Sequence, residues 1–488
     1  MSVFQRPAEG PAVRAPRGVV SPFARRLNQV FEWLLVAAAG VLLGTQYVYP
    51  DKRMIPLLIS VIVVGVAWRL DLLTGIAILV VALPYPRSTV FGTTNIAFVL
   101  MLVIFWLVRV STRELQPPKA SVIDLPIIGL VVIYILSFNN VQGAQALDFA
   151  FRNFVLFLGS VFMYFLITNN VHTEKDLRRL HDAQFLSAFL VFLLGIWELN
   201  HPGQTFIPGW IGFQRTRGTD FNSLNVRIGS AFFDFELLSE FSAMMLLMGM
   251  FRWLRARSNN ERGLYTGFMV LNVFIIFATV TRGAIISLIL SLPILLWNVR
   301  RHLRLVPLTV ATSAVIGTFL GMNFFVAHFT RSGDLFSRMA GTKVVGGWMP
   351  DTRAHAWTNA WERALVHPWI GQGPFYADMR GYDRMWPHNV YLYYANIVGF
   401  LGLAFFLIML FRFVQITRPR TDDIVKGPYA DSFLLVAQAQ LVLFMFNEFK
   451  IDYLRNPIYQ MVVWVFFSMW TAAYKVSRNE HPILAGRR

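Results

Sequence analysis

The strongest constraint on this chain is a rhythm. Uncharged apolar runs of bilayer length alternate with short segments that hold nearly all of the charge. A stretch such as "IAFVLMLVIFWLV" has no polar face to offer water. A helix of about 20 apolar residues crosses the hydrocarbon core of a bilayer. Such a helix also satisfies its own backbone hydrogen bonds in a medium that supplies none. About fourteen such runs can be read, at approximately 31–48, 54–68, 71–86, 95–110, 122–138, 152–169, 184–200, 231–251, 264–281, 283–298, 305–327, 388–411, 432–447 and 457–474. The shorter ones fit tilted or re-entrant segments. The expected fold is all-α: a polytopic integral membrane protein of about 12–14 transmembrane helices.

Composition agrees. The 488 residues are 56% hydrophobic and 15% charged, with 44 phenylalanines. A formal net charge of +17 could point to nucleic acid. Here the basic residues sit just outside apolar runs, where they anchor loops on an anionic leaflet. The absence of cysteine excludes disulfides, thiol catalysis and cysteine metal sites.

Residues 1–28, with "RPAEGPAVRAPRG", read as a disordered cytoplasmic tail without a cleaved signal peptide. With that tail inside, every second loop should be basic. The pattern holds at Arg109, Arg113 and Lys119; at Lys175, Arg178 and Arg179; at Arg252, Arg255, Arg257 and Arg262; at Arg300, Arg301 and Arg304; and at Arg412, Arg418, Arg420 and Lys426, and is weak only at the tight turn at Arg69. Arg487 and Arg488 put the C-terminus inside as well. The expected organisation is a tail over 1–28, helices over 29–327, a large outer loop over 328–387, helices over 388–474 and a cytoplasmic tail over 475–488. Long loops in compact proteins are usually functional, so chemistry is expected on the outer face. Within the large loop, "DTRAHAWTNAWERALVH" reads as an interfacial helix with Asp351 as its cap and Ala354, Trp357, Trp361 and Leu365 on one stripe.

The outer face presents few candidates: Arg227, Arg282, Arg353 and His388. Arg282 stands in "TVTRGAI", between two apolar segments, where a charge is costly to keep. Its guanidinium forks suit phosphate oxygens, and three converging arginines would make a pyrophosphate site; the alternative is an arginine that snorkels. On the residues alone, His388 in "WPHNVYLYYANIVGFLGL" reads as an interfacial histidine bonded to a loop carbonyl, with a general base as the alternative. Asn389 would cap the helix or hold the histidine, and Pro387 would pre-set its start. In "SAFFDFELLSEF", Asp234 could pair with an arginine, orient His388 or bind a sugar hydroxyl, while Glu236 and Glu240 share a helix face. "DFE" has the spacing of an acidic metal pair, but no third ligand accompanies it, and no metal is assigned. "NEFKIDYLR" reads as a turn whose charges, Glu448, Lys450, Asp452 and Arg455, bridge one another. Gly317 with Gly321, and Gly399 with Gly402, read as close-packing sites. No nucleotide-binding fingerprint is present.

The ordered set "TVTRGAIISLIL", "DTRAHAWTNAWERALVHPWIGQGP" and "HNVYLYYANIVGFLGL", over residues 225–411, resembles the O-antigen ligase and Wzy polymerase superfamily. The resemblance implies a GT-C-like membrane fold with a large periplasmic loop in the bacterial inner membrane. It implies an inverting, metal-independent glycosyltransferase that needs no cofactor and uses undecaprenyl-pyrophosphate-linked glycans, with a glycan acceptor and a chain-length regulator as further partners. Carried over, Arg227, Arg282 and Arg353 would hold pyrophosphate, and His388 would activate the acceptor hydroxyl. Asp234, Glu236 and Asn389 would orient groups or contact the acceptor. Two departures stand out: Thr281 where serine is usual, and "FFDFELLSE" in place of a Pro-Asn-type segment. Length and extra C-terminal spans favour a polymerase of repeat units; a ligase to lipid A–core or protein is the alternative. A lipid-linked glycan flippase is more distant, since no repeated halves are visible.

Overall fold

The computed structural model describes residues 29–30, 33–38, 40–43, 45, 64–86, 88–89, 92–201, 204, 206, 227–299, 317–328, 344–345, 349–374, 387–418, 421 and 424–480. The tail over 1–28, part of the run at 31–48, most of the runs at 54–68 and 305–327, most of the loop over 201–230 and the end of the chain lie outside these residues. Among the described residues the chain is all-α apart from two antiparallel pairs of two residues each, Ser88–Thr89 with Gly92–Thr93 and Val344–Val345 with Met349–Pro350. Thirteen named helices follow: α1 Leu72–Ala82, α2 Thr94–Ser111, α3 Asp124–Ser137, α4 Ala144–Asn170, α5 Glu174–Asn200, α6 Phe235–Leu254, α7 Asn259–Ala278, α8 Arg282–Val299, α9 Asp351–Val366, α10 Val390–Ile397, α11 Gly399–Ile416, α12 Tyr429–Asn447 and α13 Pro457–Glu480. Seven of them, α2, α4, α5, α6, α7, α11 and α12, are long and apolar enough to cross a membrane. The chain is a multi-pass membrane protein.

Two compact units divide it. The first comprises residues 1–75 and 101–119, the second residues 76–100 and 120–488. In the first, Arg109 donates from Nη2 to the carbonyls of Trp68 (2.6 Å) and Leu70 (3.1 Å). An arginine there satisfies carbonyls that a helix C-terminus leaves open. The second unit carries every residue discussed below.

Within the second unit, α6 packs on α7 and α12, α8 on α12, α4 on α13 and α3 on α11. α6 and α12 are its most enclosed spans, each 78% buried over the apolar window, against 39–50% for the other five. Inner helices of this kind can carry polar groups that lipid would not accept. Gln440 of α12 accordingly donates to Met244 O (2.9 Å) and accepts from Trp470 Nε1 (3.0 Å).

The run at 388–411, expected as one span, is two helices broken at Val398–Gly399. The segment "PWIGQG" docks into the break. Phe400 and Leu401 donate to Pro368 O (2.7 Å) and Trp369 O (3.2 Å), while Gln372 and Gly373 donate to Asn396 O (2.8 Å) and Ile397 O (3.1 Å). Broken helix ladders inside a membrane protein persist where other protein groups pair the freed backbone. Close approach requires glycine at both Gly371 (φ +72°) and Gly399 (φ +69°). Gly317 and Gly321 do not pack closely: among the described residues nothing lies within 4 Å of a Cβ at either.

α9 occupies the expected interfacial segment. Its buried face is Ala356, Trp357, Ala360 and Ala364, and α10 packs against the helix. The stripe read from the sequence straddles the edge of that face, because Trp361 and Leu365 are about half exposed.

Candidate functional site

The site is built where four chain segments converge on the first turn of α6. The approach to α6 is strongly bent: Ser230 (φ +48°) and Phe233 (φ +54°) are left-handed. Glu198 of α5 holds the bend, accepting from the backbone N–H of Gly229 (3.1 Å) and Ser230 (2.8 Å). Asp234 then caps α6, its Oδ1 accepting from the N–H groups of Glu236 (2.8 Å) and Leu237 (3.2 Å). An N-cap carboxylate satisfies orphan donors and suits the positive end of the helix dipole.

Arg455 and Arg353 meet on this turn. Arg455 Nη2 donates to Asp234 Oδ2 (2.6 Å) and Glu236 Oε2 (2.9 Å). Arg353, from the first turn of α9, donates to Glu236 Oε1 (2.5 Å). Glu236 therefore carries one guanidinium on each oxygen, the arrangement in which a carboxylate is most tightly held. Arg455 was expected to bridge within its own turn. It reaches across to α6 instead, while the turn's buried carboxylates, Glu448 and Asp452, accept from the backbone N–H groups of Tyr453 and Leu454. The oxygens of "DFE" are the acceptors for these guanidiniums.

His388 sits on the open side. It is left-handed (φ +46°), and the neighbouring backbone is pinned: Val390 donates to Glu448 O (3.0 Å), and Arg353 Nη1 donates to His388 O (3.4 Å). Its Nδ1 faces Arg455 Nη1 at 2.5 Å and Glu236 Oε2 at 3.9 Å. Burial pushes the imidazole down to about 4; Glu236 pulls it up, and Arg455 and Arg353 push it further down. Exposure rises from Arg455 (10%) to Glu236 (15%) and His388 (36%), so the histidine is the rim of the cluster. Asn389 caps α10, accepting from Tyr391 and Leu392 N–H (both 3.0 Å), and donates to Phe449 O (3.3 Å).

Arg227 and Arg282 share a second piece of the site. α7 and α8 are joined by Thr279–Thr281, with Val280 left-handed (φ +50°). Arg227 is buried and braces that turn. It donates from Nε to Thr279 O (2.9 Å) and from Nη2 to Val280 O (3.4 Å) and Thr281 Oγ1 (3.3 Å), with its guanidinium 3.1 Å from the centroid of Phe235. Arg282 is the first residue of α8, whose first turn has no acidic residue. A cation there opposes the helix dipole. Lys450 lies nearby: burial lowers its pKa, and Arg353 and Arg282 lower it further. A cluster richer in fixed cations than in carboxylates is suited to a polyanion.

The structure thus brings Asp234, Glu236, Arg353 and His388 into one hydrogen-bonded group, with Arg455 added. It seats Arg227 against the turn that carries Arg282, and it uses Asn389 as a cap. Glu240, one turn below Glu236, is fully buried away from the group. Arg455 was the residue to miss; its signal was a mixed-charge segment between two apolar runs, where ions persist only when used or paired.

The opposite end of α6 is different in kind. Arg252 there donates to Tyr429 Oη (3.0 Å) and pairs with Asp182, and Arg255 donates to Ile424 O (2.8 Å) and Gly427 O (2.9 Å). Twenty helical residues separate the two ends, about 30 Å, so the clusters belong to opposite ends of a membrane-long helix.

Compared with known protein families, residues 267–407 match the family described as Wzy_C, O-antigen ligase. That segment holds Arg282, Arg353 and His388, whereas Arg227, Asp234, Glu236 and Arg455 lie outside it. No curated protein matches the chain.

Proposed function

We propose that this membrane protein, whose residues 267–407 match the O-antigen ligase family, is an enzyme of the O-antigen ligase or polymerase type that polymerises undecaprenyl-pyrophosphate-linked oligosaccharide repeats into O-antigen or exopolysaccharide. Lipid-linked glycans are the substrates that the family implies. In this reading the site faces the periplasm, both termini are cytoplasmic and the membrane is the bacterial inner one. The basic loops at the far end of α6 support that orientation.

The observation that carries the proposal is the meeting of Arg353, Arg455 and His388 on Glu236, beside the turn bearing Arg282. Arg282 and Arg353 contact the donor pyrophosphate, and Arg227 fixes the turn from which Arg282 projects. His388 takes the proton of the acceptor hydroxyl as its oxygen bonds to the anomeric carbon. The bond from that carbon to pyrophosphate breaks, its electron pair leaves on the pyrophosphate oxygen, and the configuration inverts. Guanidiniums fixed in a dry site stabilise that charge without reorganising. The reaction is proposed to need no metal.

Reconstitution tests this. Purified protein in liposomes with lipid-linked repeats should give a ladder of products on the carrier, undiminished by EDTA. A single transfer to lipid A–core would establish the ligase reading instead. Movement of the glycan across the bilayer without any new glycosidic bond would overturn both.

A further inference from the structure

Arg455 bears on the chemistry of His388 in a way that charge alone does not express. A neutral imidazole has one N–H donor and one lone-pair acceptor. Arginine has donors only and keeps its proton under all ordinary conditions. The 2.5 Å approach of Arg455 Nη1 to His388 Nδ1 therefore makes Nδ1 the acceptor and puts the ring's proton on Nε2. In that state the one lone pair that could take a proton is already covered. A histidine so held donates a hydrogen bond; it does not act as a base.

A second partner is in place. Glu236 Oε2 lies 3.9 Å from the same nitrogen and accepts from Arg455 Nη2 (2.9 Å). A shift of roughly 1 Å would bring it to hydrogen-bond distance. A carboxylate accepts from Nδ1–H, and that bond leaves Nε2 with the lone pair. Glu236 is held back by Arg353 and Arg455, and a bound polyanion would compete with it for those guanidiniums. Arg455 Nε is buried and has no hydrogen-bond partner among the described residues, so this guanidinium is not fully committed to its present contacts.

We propose that Arg455 is a positioning residue that sets the tautomer of His388: it covers Nδ1 in the resting site, and a bound diphosphate draws it away, leaving Glu236 as the partner of Nδ1 and Nε2 as the base. The inference rests on the reading of His388 as the base. The switch moves no net charge onto the ring, since Nε2 releases one proton to water and Nδ1 takes one up. The arrangement couples the two substrates: the acceptor hydroxyl meets a base only when the leaving group is already bound.

Nitrogen NMR of the full chain in nanodiscs, with [15N]histidine and the His388→Gln spectrum for assignment, reads the tautomer directly. In the resting protein His388 should show a non-protonated Nδ1 and a protonated Nε2, and saturating inorganic pyrophosphate should exchange the two. Arg455→Lys, which retains a charge for Asp234 but loses the planar fork, should show protonated Nδ1 without pyrophosphate. A resting wild-type ring already protonated on Nδ1, or one unmoved by saturating pyrophosphate, overturns the proposal. Transfer assays on the same preparations separate the two claims. Full activity of His388→Gln removes the base and the proposal together. An inactive His388→Gln with an unmoved wild-type tautomer removes the proposal alone.

Discussion

Replacing Gly399 with alanine tests the docking of the "PWIGQG" segment onto the break between α10 and α11. A Cβ at Gly399 would lie 2.4 Å from the carbonyl carbon and oxygen of Trp369 and 2.6 Å from Gly371 N. These are backbone atoms, so no change of rotamer relieves the clash. The left-handed conformation by itself costs a non-glycine residue roughly 1–2 kcal/mol. Moving the two segments apart by about 1 Å, to ordinary contact distance, opens at least the Phe400–Pro368 and Leu401–Trp369 hydrogen bonds. Each hydrogen bond lost costs a net of roughly 0.5–1.5 kcal/mol. The substitution should therefore destabilise by about 2–5 kcal/mol, a large part of a total stability of roughly 5–15 kcal/mol. Thermal unfolding in nanodiscs, read by intrinsic fluorescence, should show a markedly lower midpoint, and trypsin should cut more readily at Arg363, just before the docked segment. Gly267→Ala is the control. Nothing lies within 4 Å of a Cβ there, and the residue is inside α7, so the midpoint should hold or rise slightly. A Gly399→Ala protein with the wild-type midpoint and cleavage pattern would refute the docking argument.

Three further outcomes are expected. His388→Gln should lower the rate of glycan transfer about 10²–10⁴-fold, and Arg282→Ala should abolish transfer, both with normal membrane insertion and a wild-type thermal midpoint. Arg227→Lys keeps the charge but cannot reach Thr279 O, Val280 O and Thr281 Oγ1 together; transfer should fall at least about tenfold, and Arg227→Lys with wild-type kcat and KM would remove its bracing role. Burial raises the Asp452 carboxyl from 3.8 to about 7, against the opposing Leu454 N–H and Arg455. The folded protein keeps that proton after the unfolded chain has released it, so stability falls as pH rises through this window. Asp452→Asn should raise the thermal midpoint at pH 8 and leave it nearly unchanged at pH 4; an equal shift at both would count against a buried neutral acid.

Much of the fold was legible in the sequence because hydropathy is local and sums along the chain. The inner run of each span, the helix at Asp351–Val366 and the tight turn before Arg282 all follow from neighbours within a few residues. Partners distant in sequence did not follow. Arg455 and Glu236 are 219 residues apart, and the charges around Arg455 read most simply as pairing with one another. Arg455 makes its ion pairs with Asp234 and Glu236 instead, and that choice is set by how the spans pack. The break at Gly399 was hidden for a related reason. "ANIVGFLGL" is uniformly apolar, and hydropathy does not sense a positive φ or a loop that supplies the missing hydrogen bonds. The bracing role of Arg227 depends on three oxygens at a turn that begins 52 residues away.

The docking of Pro368–Gly373 against Asn396–Leu401 also decides where this protein can be cut and rejoined. A chimera that exchanged residues 328–387 with a relative's and rejoined at His388 would place foreign backbone against a resident helix break. Four hydrogen bonds and two glycine contacts would then have to be met by partners that had never been paired. A junction after Leu401 carries both sides of the seam together, with His388 and its cap inside the transplanted piece. The exchangeable module therefore includes the start of the following span, and its boundary lies within the apolar run.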